Sequence, residues 1–530
     1  MKYRNYIILV LFCIVTFFSC QKETGSASWD ISVFSPIIHS TLNVDNLVPD
    51  SLLQQNADSS LKIVYDNTLY RVSLASLVNA PDTIIYQVYN VPFNLTGQPN
   101  MQIVNKFNKN SLNFGSAKIS KIIVKSGSLV FRIQNKIKEK ILSIYQIPCA
   151  TLNGQVFETT DIIPAATHTS AAYFTKKVDI SGYTFNLTGA TGNSANILLT
   201  QANTYIDPNG KPVDVNIQDS LILFVGFENL QIEYAKGYFG SSSTMSGEQL
   251  SNFTPFNKII DGTLKVEDMK VNLFVSNGFG IDAGFRVNEV KSINTKTNKS
   301  VSLNSSFVGT NVNINRALET SDVLKPVVPY KYAVNLSNSN FKQLLENLPD
   351  QFGFNMDINS NPLGNISCGN DFAYNSYAFE AGINIEIPLS LMANNLTLKD
   401  TINYSISQPQ GYKINHGQLK IIANNGFPFS ASIQVLLYDP ANMLTMGLIQ
   451  PDNIIEAASV DVSNKVNSTK ISTINIPISG DKLEHFYTAK KMIIVARFNT
   501  ANAGQYMKIY SNYNLDIKIT GDWEMNVNQQ

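Results

Sequence analysis

Three times along this chain a strand-like run ends on asparagine and restarts almost at once. The runs are Leu129 to Asn135, Leu273 to Asn277 and Leu419 to Asn425. In the first, Leu129, Phe131 and Ile133 alternate with Val130, Arg132 and Gln134. Period-two alternation turns one set of side chains to a core and the other to water. Such a chain folds as sheets, and its apolar faces must be covered by other sheets. Lys136, Gly278 and Gly426 follow the three asparagines, and Ile137, Phe279 and Phe427 come next. Asn-Gly between alternating runs is a hairpin signal, since both residues tolerate left-handed backbone. Asn135, Asn277, Gly278, Asn425 and Gly426 are therefore expected at hairpin turns, with a different turn at Lys136.

A second landmark follows each run: Ile180-Ser181-Gly182, Leu336-Ser337-Asn338 and Ile478-Ser479-Gly480. In the second and third copies a short helix is expected next. Phe341, Leu344, Leu345 and Leu348 form an apolar stripe that Pro349 ends. Leu483, Phe486 and Tyr487 form its counterpart, with Asp481 as N-cap and Glu484 three residues on. Each stripe leads into a strand closing on an Asn-rich turn, 352–361 and 492–502. The expected fold is all-β: about three repeat-related β-sandwich units at 101–238, 239–385 and 386–522, with a few short helices. Residues 29–100 are expected to form a separate N-terminal β region, as a lead-in domain or a strand-swapping arm, and 523–530 a tail. Gly240 to Thr244 is read as a linker between units. Asp207-Pro208-Asn209-Gly210 predicts a reverse turn with Gly210 at φ > 0.

The N-terminus carries an address. Lys2 and Arg4 precede a short apolar stretch from Tyr6 to Ser19, and Cys20 opens a polar tract. These are the parts of a cleaved secretory signal at 1–19, too short for a permanent membrane helix. Ser19-Cys20 resembles the processing site of bacterial lipoproteins, in relaxed forms similar to those of Bacteroidota. That resemblance implies acyl chains on Cys20, a flexible tether over 20–28 and anchoring without spanning. Gln21 in place of Asp implies the outer membrane, and Gln21-Lys22-Glu23 partly resembles a surface-export signal. The whole chain resembles the large tandem-β lipoproteins of Bacteroidota outer membranes. The asparagine-terminated strand, in copy one especially, faintly resembles the plant-desiccation type of β-sandwich, where Asn-Pro stands at that point; no function follows from it.

Composition narrows the chemistry. The 40 basic and 40 acidic residues balance, so no basic stripe offers nucleic acid a phosphate-neutralising surface. No phosphate-binding Gly-rich loop supports nucleotide binding. Cys149 and Cys368 stand far apart in no paired spacing and are expected as buried free thiols. His39, His168, His416 and His485 make no metal-ligand pattern; His485 is placed in packing or at the surface. Asp357-x-Asn359-x-Asn361 starts like a calcium loop, but Pro362 and Cys368 occupy positions that need Gly and a carboxylate, so a turn is the better account. No cofactor or metal is expected.

The sequence thus predicts a non-enzymatic outer-membrane or cell-surface lipoprotein acting as a structural, adhesive or protein-binding module. Its expected partners are the membrane, through the anchor, and an envelope protein or a surface glycan. One alternative is glycan binding, since tethered tandem sandwiches resemble the surface glycan-binding proteins of starch-utilisation systems. Trp29 and Trp523 lie at the edges of the expected fold. Tyr234, Tyr238, Tyr374 and Tyr377 gather near unit junctions and are expected to pack there. The other alternative is an accessory subunit of an outer-membrane β-barrel complex. Ser51, Thr83, Ser220 and Thr401 follow Asp and precede an apolar residue, which resembles the Bacteroidota O-glycosylation pattern.

Overall fold

A computed structural model describes residues 28–46, 48–78, 84–91, 93–403, 412–441, 443–449, 454–502 and 504–528. Cys20, its leader and Thr83 lie outside the described residues. The regular secondary structure of the described chain is almost wholly antiparallel strand, as the alternation predicts. The chain divides into two compact units that are not consecutive in sequence. Among the described residues one comprises those within 28–63, 254–268 and 387–528, and the other those within 64–253 and 269–386.

The same seven-strand pattern occurs three times. Lys118–Asn135, Lys270–Asn277 and Tyr412–Asn425 are the asparagine-terminated strands. On one side of each lies the strand that precedes or ends in the second landmark, with Ala172, Tyr330 and Lys470 opposite Asn135, Asn277 and Asn425. On the other side lies a closing strand, with Leu221, Phe379 and Leu515 opposite the same asparagines. Beyond each asparagine the chain enters Ile141–Leu152, Ala283–Asn294 or Phe429–Asp439, in the opposing layer. There it pairs with a short strand and with Ile197–Ile206, Gln351–Ser360 or Lys491–Thr500. A lead strand adds to the last of these: Gln102–Ser111, Ser242–Asn252 and Ser390–Asn403. Each repeat is a three-on-four sandwich before any additions. In repeat one, Thr184–Asn186 pairs with strands of both layers and closes one side.

The predicted hairpins are corrected by this arrangement. The strands flanking Asn277 and Asn425 belong to different sheets, and those flanking Asn135 do not pair with each other. Each asparagine turns the chain from one layer to the other, as an arch. All three side chains are buried. Each Oδ1 accepts the N–H two residues on, from Ile137, Phe279 and Phe427, at 2.9–3.0 Å. Each Nδ2 donates to the carbonyl four residues on (Glu139, Ile281, Phe429) and to one far along the chain (Pro164, Asn315, Glu456), at 2.8–3.2 Å. Two residues beyond the distant carbonyl stands Ala166, Ala317 or Ala458, whose N–H returns to Ile137, Phe279 or Phe427. Neither the asparagines nor the glycines after them take positive φ. Glycine serves for clearance: a Cβ on Gly278 or Gly426 would sit 2.8 Å from the Ala378 or Asn514 carbonyl. At Lys136 the equivalent N–H bond to Ser220 is longer, 3.1 Å, and the arch is otherwise the same.

The region 29–100 is not a separate domain, and the arm reading describes it. Its strands join the three repeats in reverse order. Ser28–Leu42 pairs with Leu515–Asn528 of repeat three. Leu61–Val72 neighbours Phe379–Pro388 of repeat two. Ile84–Asn90 pairs with Ser220–Tyr238 of repeat one. Other boundaries move as well. Residues 523–528 continue the closing strand rather than forming a tail. Ser242–Asn252 is a lead strand, so most of the expected linker is sheet. Ile259–Val266 pairs with Ser390–Asn403 rather than with repeat two.

Helices form at Phe341–Glu346, burying Phe341, Leu344 and Leu345, and at Asp481–Thr488, burying Phe486. Gly480, at φ 54°, occupies the N-cap position instead of Asp481. Trp523 is no edge residue: it is buried in the core of repeat three, 5.4 Å from the Phe486 ring, and its indole donates to Ser35. The 207–210 turn forms with Gly210 N–H on the Asp207 carbonyl, but Gly210 does not take positive φ. Cys149 is half-buried and Cys368 exposed, both free.

Replacing Asn277 by Ala strands two buried carbonyls and one buried N–H, each worth about 1–3 kcal/mol when unsatisfied. Urea unfolding of Asn277→Ala is expected to show a loss of roughly 3 kcal/mol. Asn277→Asp is expected to do no better, because a carboxylate keeps the acceptor and loses both donated bonds.

Candidate binding surface

The repeated architecture allows outer faces to be compared position by position. One, three and five residues before each asparagine, the closing strand presents Ile222, Phe224 and Gly226 in repeat one. Repeat two has Glu380, Gly382 and Asn384 there, and repeat three Asp516, Lys518 and Thr520. The arm strands follow suit. In repeat one Val88, Tyr86 and Ile84 lie opposite Ile222, Phe224 and Gly226. In repeat three Thr41 and His39 lie opposite Asp516 and Lys518, and His39 contacts the Asp516 carboxylate at 2.7 Å. In repeat two Arg71 pairs with Glu380, and Asn384 donates to Asp66. At these positions two of the three faces are therefore polar, as a water-facing sheet should be, and the third is apolar.

That third face is accessible. Ile84 is 67% exposed and Tyr86 57%, with Val88 and Phe224 also exposed. The rings of Tyr86 and Phe224 lie 4.8 Å apart at 46°. Toward the far edge the face becomes polar through Arg132, Gln134 and Thr175, and Tyr173 ends it, its hydroxyl accepting from Gln134 at 3.1 Å. Among the described residues no further strand pairs with Ile84–Asn90, so its outer edge is open backbone. No sequence-based expectation falls on this face. Its signal was present: Ile84-Ile85-Tyr86-Gln87-Val88-Tyr89 is apolar on both sides of the strand, which a strand with one wet face does not require.

The junction tyrosines pack, as expected, within the second unit. Asp371–Tyr374 pairs with the far end of Ser220–Tyr238. Tyr234 is buried with its ring 4.6 Å from Tyr374, and both hydroxyls donate to Glu319 Oε1, at 2.9 and 3.2 Å. Tyr238 lies apart from this pair, its hydroxyl on Ser241. Burial, then the Glu319 carboxylate, pushes the Tyr234 phenol well up. The same causes push Tyr374 up to about 12. Beside them Asp371 is fully buried; it accepts from Phe239 N–H and Asn361 Nδ2, with Arg316 Nη1 at 3.7 Å. Arg316 also bonds Asp282, so this pocket already holds its own cation.

The remaining expected residues are dispersed. Ser51 and Thr401 are exposed. Ser220 is buried, so its hydroxyl is withdrawn from any modifying enzyme once the chain is folded. Asp357 and Asn359 sit in the strand Gln351–Ser360, and only Asn361 makes the turn. His416 contacts Glu524 at 3.1 Å on the surface of repeat three. Among the described residues no three His, Cys, Asp or Glu side chains gather as a metal-ligand set.

No family model matches the chain, and no curated protein matches it. Among solved structures, a presumed secreted protein from Parabacteroides distasonis ATCC 8503 is similar at a TM-score of 0.28 and 10% identity, over 54% of this chain and 83% of that one. The infectious bursal disease virus Gx strain structure aligns at a TM-score of 0.09 and 9% identity, over 92% of this chain and 85% of that one. Neither likeness reaches a shared overall fold, and neither bears on what the chain does.

A phenol whose folded pKa exceeds its unfolded value of 10.0 contributes stability below pH 10 that is lost as pH climbs through the folded value. Ring-carbon NMR titration is expected to place Tyr374 near 12, and Glu319→Gln to bring its midpoint down.

Proposed function

We propose that this chain is a non-enzymatic, lipid-anchored protein of the outer membrane, exposed at the cell surface, which binds an envelope or surface protein. Its partner would lie on the outer sheet face of repeat one. The observation that carries the reading is the contrast between repeats. On equivalent positions of one architecture, repeats two and three carry charges and amides, while repeat one carries Ile84, Tyr86, Val88, Ile222 and Phe224. A contiguous exposed apolar patch on a water-facing sheet is costly to leave uncovered and marks an interaction site. The open edge of Ile84–Asn90 adds main-chain donors and acceptors, which suit a partner strand. A subunit of a β-barrel complex would be one such partner.

Glycan capture is the second reading, favoured by Tyr86, Phe224 and Tyr173 sharing one face. The tilt between the Tyr86 and Phe224 rings and the β-branched aliphatics around them fit a protein surface better than a flat sugar. The resemblance of Ser19-Cys20 to a lipoprotein processing site supports the location, and the candidate O-glycosylation sites that remain, Ser51, Thr83 and Thr401, belong to the same proposal.

Two measurements test it. Detergent pull-down from the native membrane is expected to recover a protein partner stoichiometrically, and Tyr86→Ser/Phe224→Ser to lose at least ten-fold of it with an unchanged melting temperature. Equal recovery by that variant, or specific retention on a glycan array with no protein recovered, overturns the protein reading. Cys20→Ala is expected to remove the mass of the acyl chains from the protein, as read by intact-mass measurement.

A further inference from the structure

A second set of exposed apolar side chains lies at the Asn277 end of repeat two, on two loops. The first runs between the short strands Leu318–Glu319 and Val327–Val328. At its tip Val323 and Leu324 are 91% and 89% exposed. This loop is held open by its own hydrogen bonds. Thr320 N–H bonds the Pro326 carbonyl at 2.8 Å, Thr320 Oγ1 the Lys325 carbonyl at 2.6 Å, and Asp322 Oδ1 accepts Leu324 N–H at 2.9 Å. Its base is fixed too: Ala317 and Val327 are buried, and Glu319 is gripped by the two tyrosine hydroxyls. The aliphatic pair is thus fixed outward where a slack loop could tuck it in.

The second loop, 361–370, exposes Leu363 and Ile366. It springs from the same place, since Asn361 N–H bonds the Asp282 carbonyl while Arg316, at the start of the first loop, bonds the Asp282 carboxylate. From Ile358 to Asn370 no residue is charged. Asn365 Oδ1 caps its turns through Gly369 N–H at 2.8 Å.

We propose that these two loops dip into the interfacial layer of a lipid bilayer, giving the protein a membrane contact that does not depend on an acyl chain. The tips are convex and aliphatic; the second loop carries no charge, and at the first the exposed Asp322 and Lys325 flank the Val323-Leu324 pair and balance each other. A partner protein would need a matching pocket for each, whereas the acyl boundary of a bilayer accepts such side chains without complementarity. For its location the inference rests on the proposed lipid anchor, which keeps the chain beside a bilayer: Cys20 precedes the first described residue, Ser28, by only eight positions. These residues are distinct from the Tyr86 face, so the inference stands or falls separately from the partner reading.

The test uses residues 21–530 without the acyl group, which keeps every described residue. The exposed Cys368 lies on the second loop, and Cys149 is half-buried and hydrogen-bonded to Leu199, so a thiol-reactive environment-sensitive dye labels Cys368 selectively. On adding phosphatidylcholine–phosphatidylethanolamine vesicles, the chain is expected to float with lipid, and the dye emission to shift to the blue and be quenched by spin-labelled lipid. Val323→Ser/Leu324→Ser is expected to weaken flotation at least ten-fold, while Tyr86→Ser leaves it unchanged. Three results overturn the proposal: no flotation of the parent, equal flotation of the loop variant, or a blue shift that grows with protein concentration without vesicles. The last would mean that a second copy covers the loops.

Discussion

The buried asparagine at each arch is the interaction on which the architecture rests. A chain leaving one layer of a sandwich for the other must turn where its backbone groups find no strand partner. One carboxamide supplies an acceptor to the residue two ahead and two donors to carbonyls that would be stranded. The distant carbonyl belongs to the loop after the next short strand, so the same side chain also fixes where that loop passes. Asparagine is specific here: aspartate lacks the donors, and glutamine would place its amide one methylene too far. Identical bonds at Asn135, Asn277 and Asn425, with equivalent partner residues and an alanine at the same later point, make the three sandwiches copies of one design. Only the clearance device differs, with glycine in two copies and a slightly longer bond at Lys136.

Each three-strand layer exposes the edge of its closing strand. The N-terminal arm covers those edges, strand by strand, in reverse order of the repeats. In repeat three, the first described strand lies against the last along 14 paired positions from Ser28 to Leu42. The arm also contributes to the polarity of each outer face. Where it contributes His39 and Thr41, the outer face is polar, and where it contributes Ile84, Tyr86 and Val88, the face is apolar. One architecture thus carries outer faces that differ in polarity from repeat to repeat.

The alternation at 129–135 and 419–425 predicted strands that are present, and the stripes at 341–348 and 483–487 predicted helices that are present, because those patterns are set by what lies directly above and below each side chain. The arch asparagines stand where turns are expected, and the turns are arches between layers instead of hairpins. Asn-Gly reads as a hairpin when only neighbours are considered, and what makes it an arch is a carbonyl some 30 to 40 residues away: Asn315 for Asn277, Glu456 for Asn425. Trp523 looked terminal because it is near the end of the chain, yet the helix at Asp481–Thr488 and Ser35 from the arm enclose it. The apolar face of repeat one was legible only as a run apolar on both sides, and nothing local said which of those sides would stay bare.

The sequence alone determined the all-β class, the three-fold repeat, the positions of the arch residues and the short helices. Each of these follows from side-chain pattern over a few residues. The tertiary structure decided that the asparagines bridge two layers, that 28–90 is an arm shared among three sandwiches, and that the outer faces of the repeats differ in what they leave exposed. Strand pairing is made by backbone groups that every residue carries, so alternation says which way a side chain points and not which strand lies beside it.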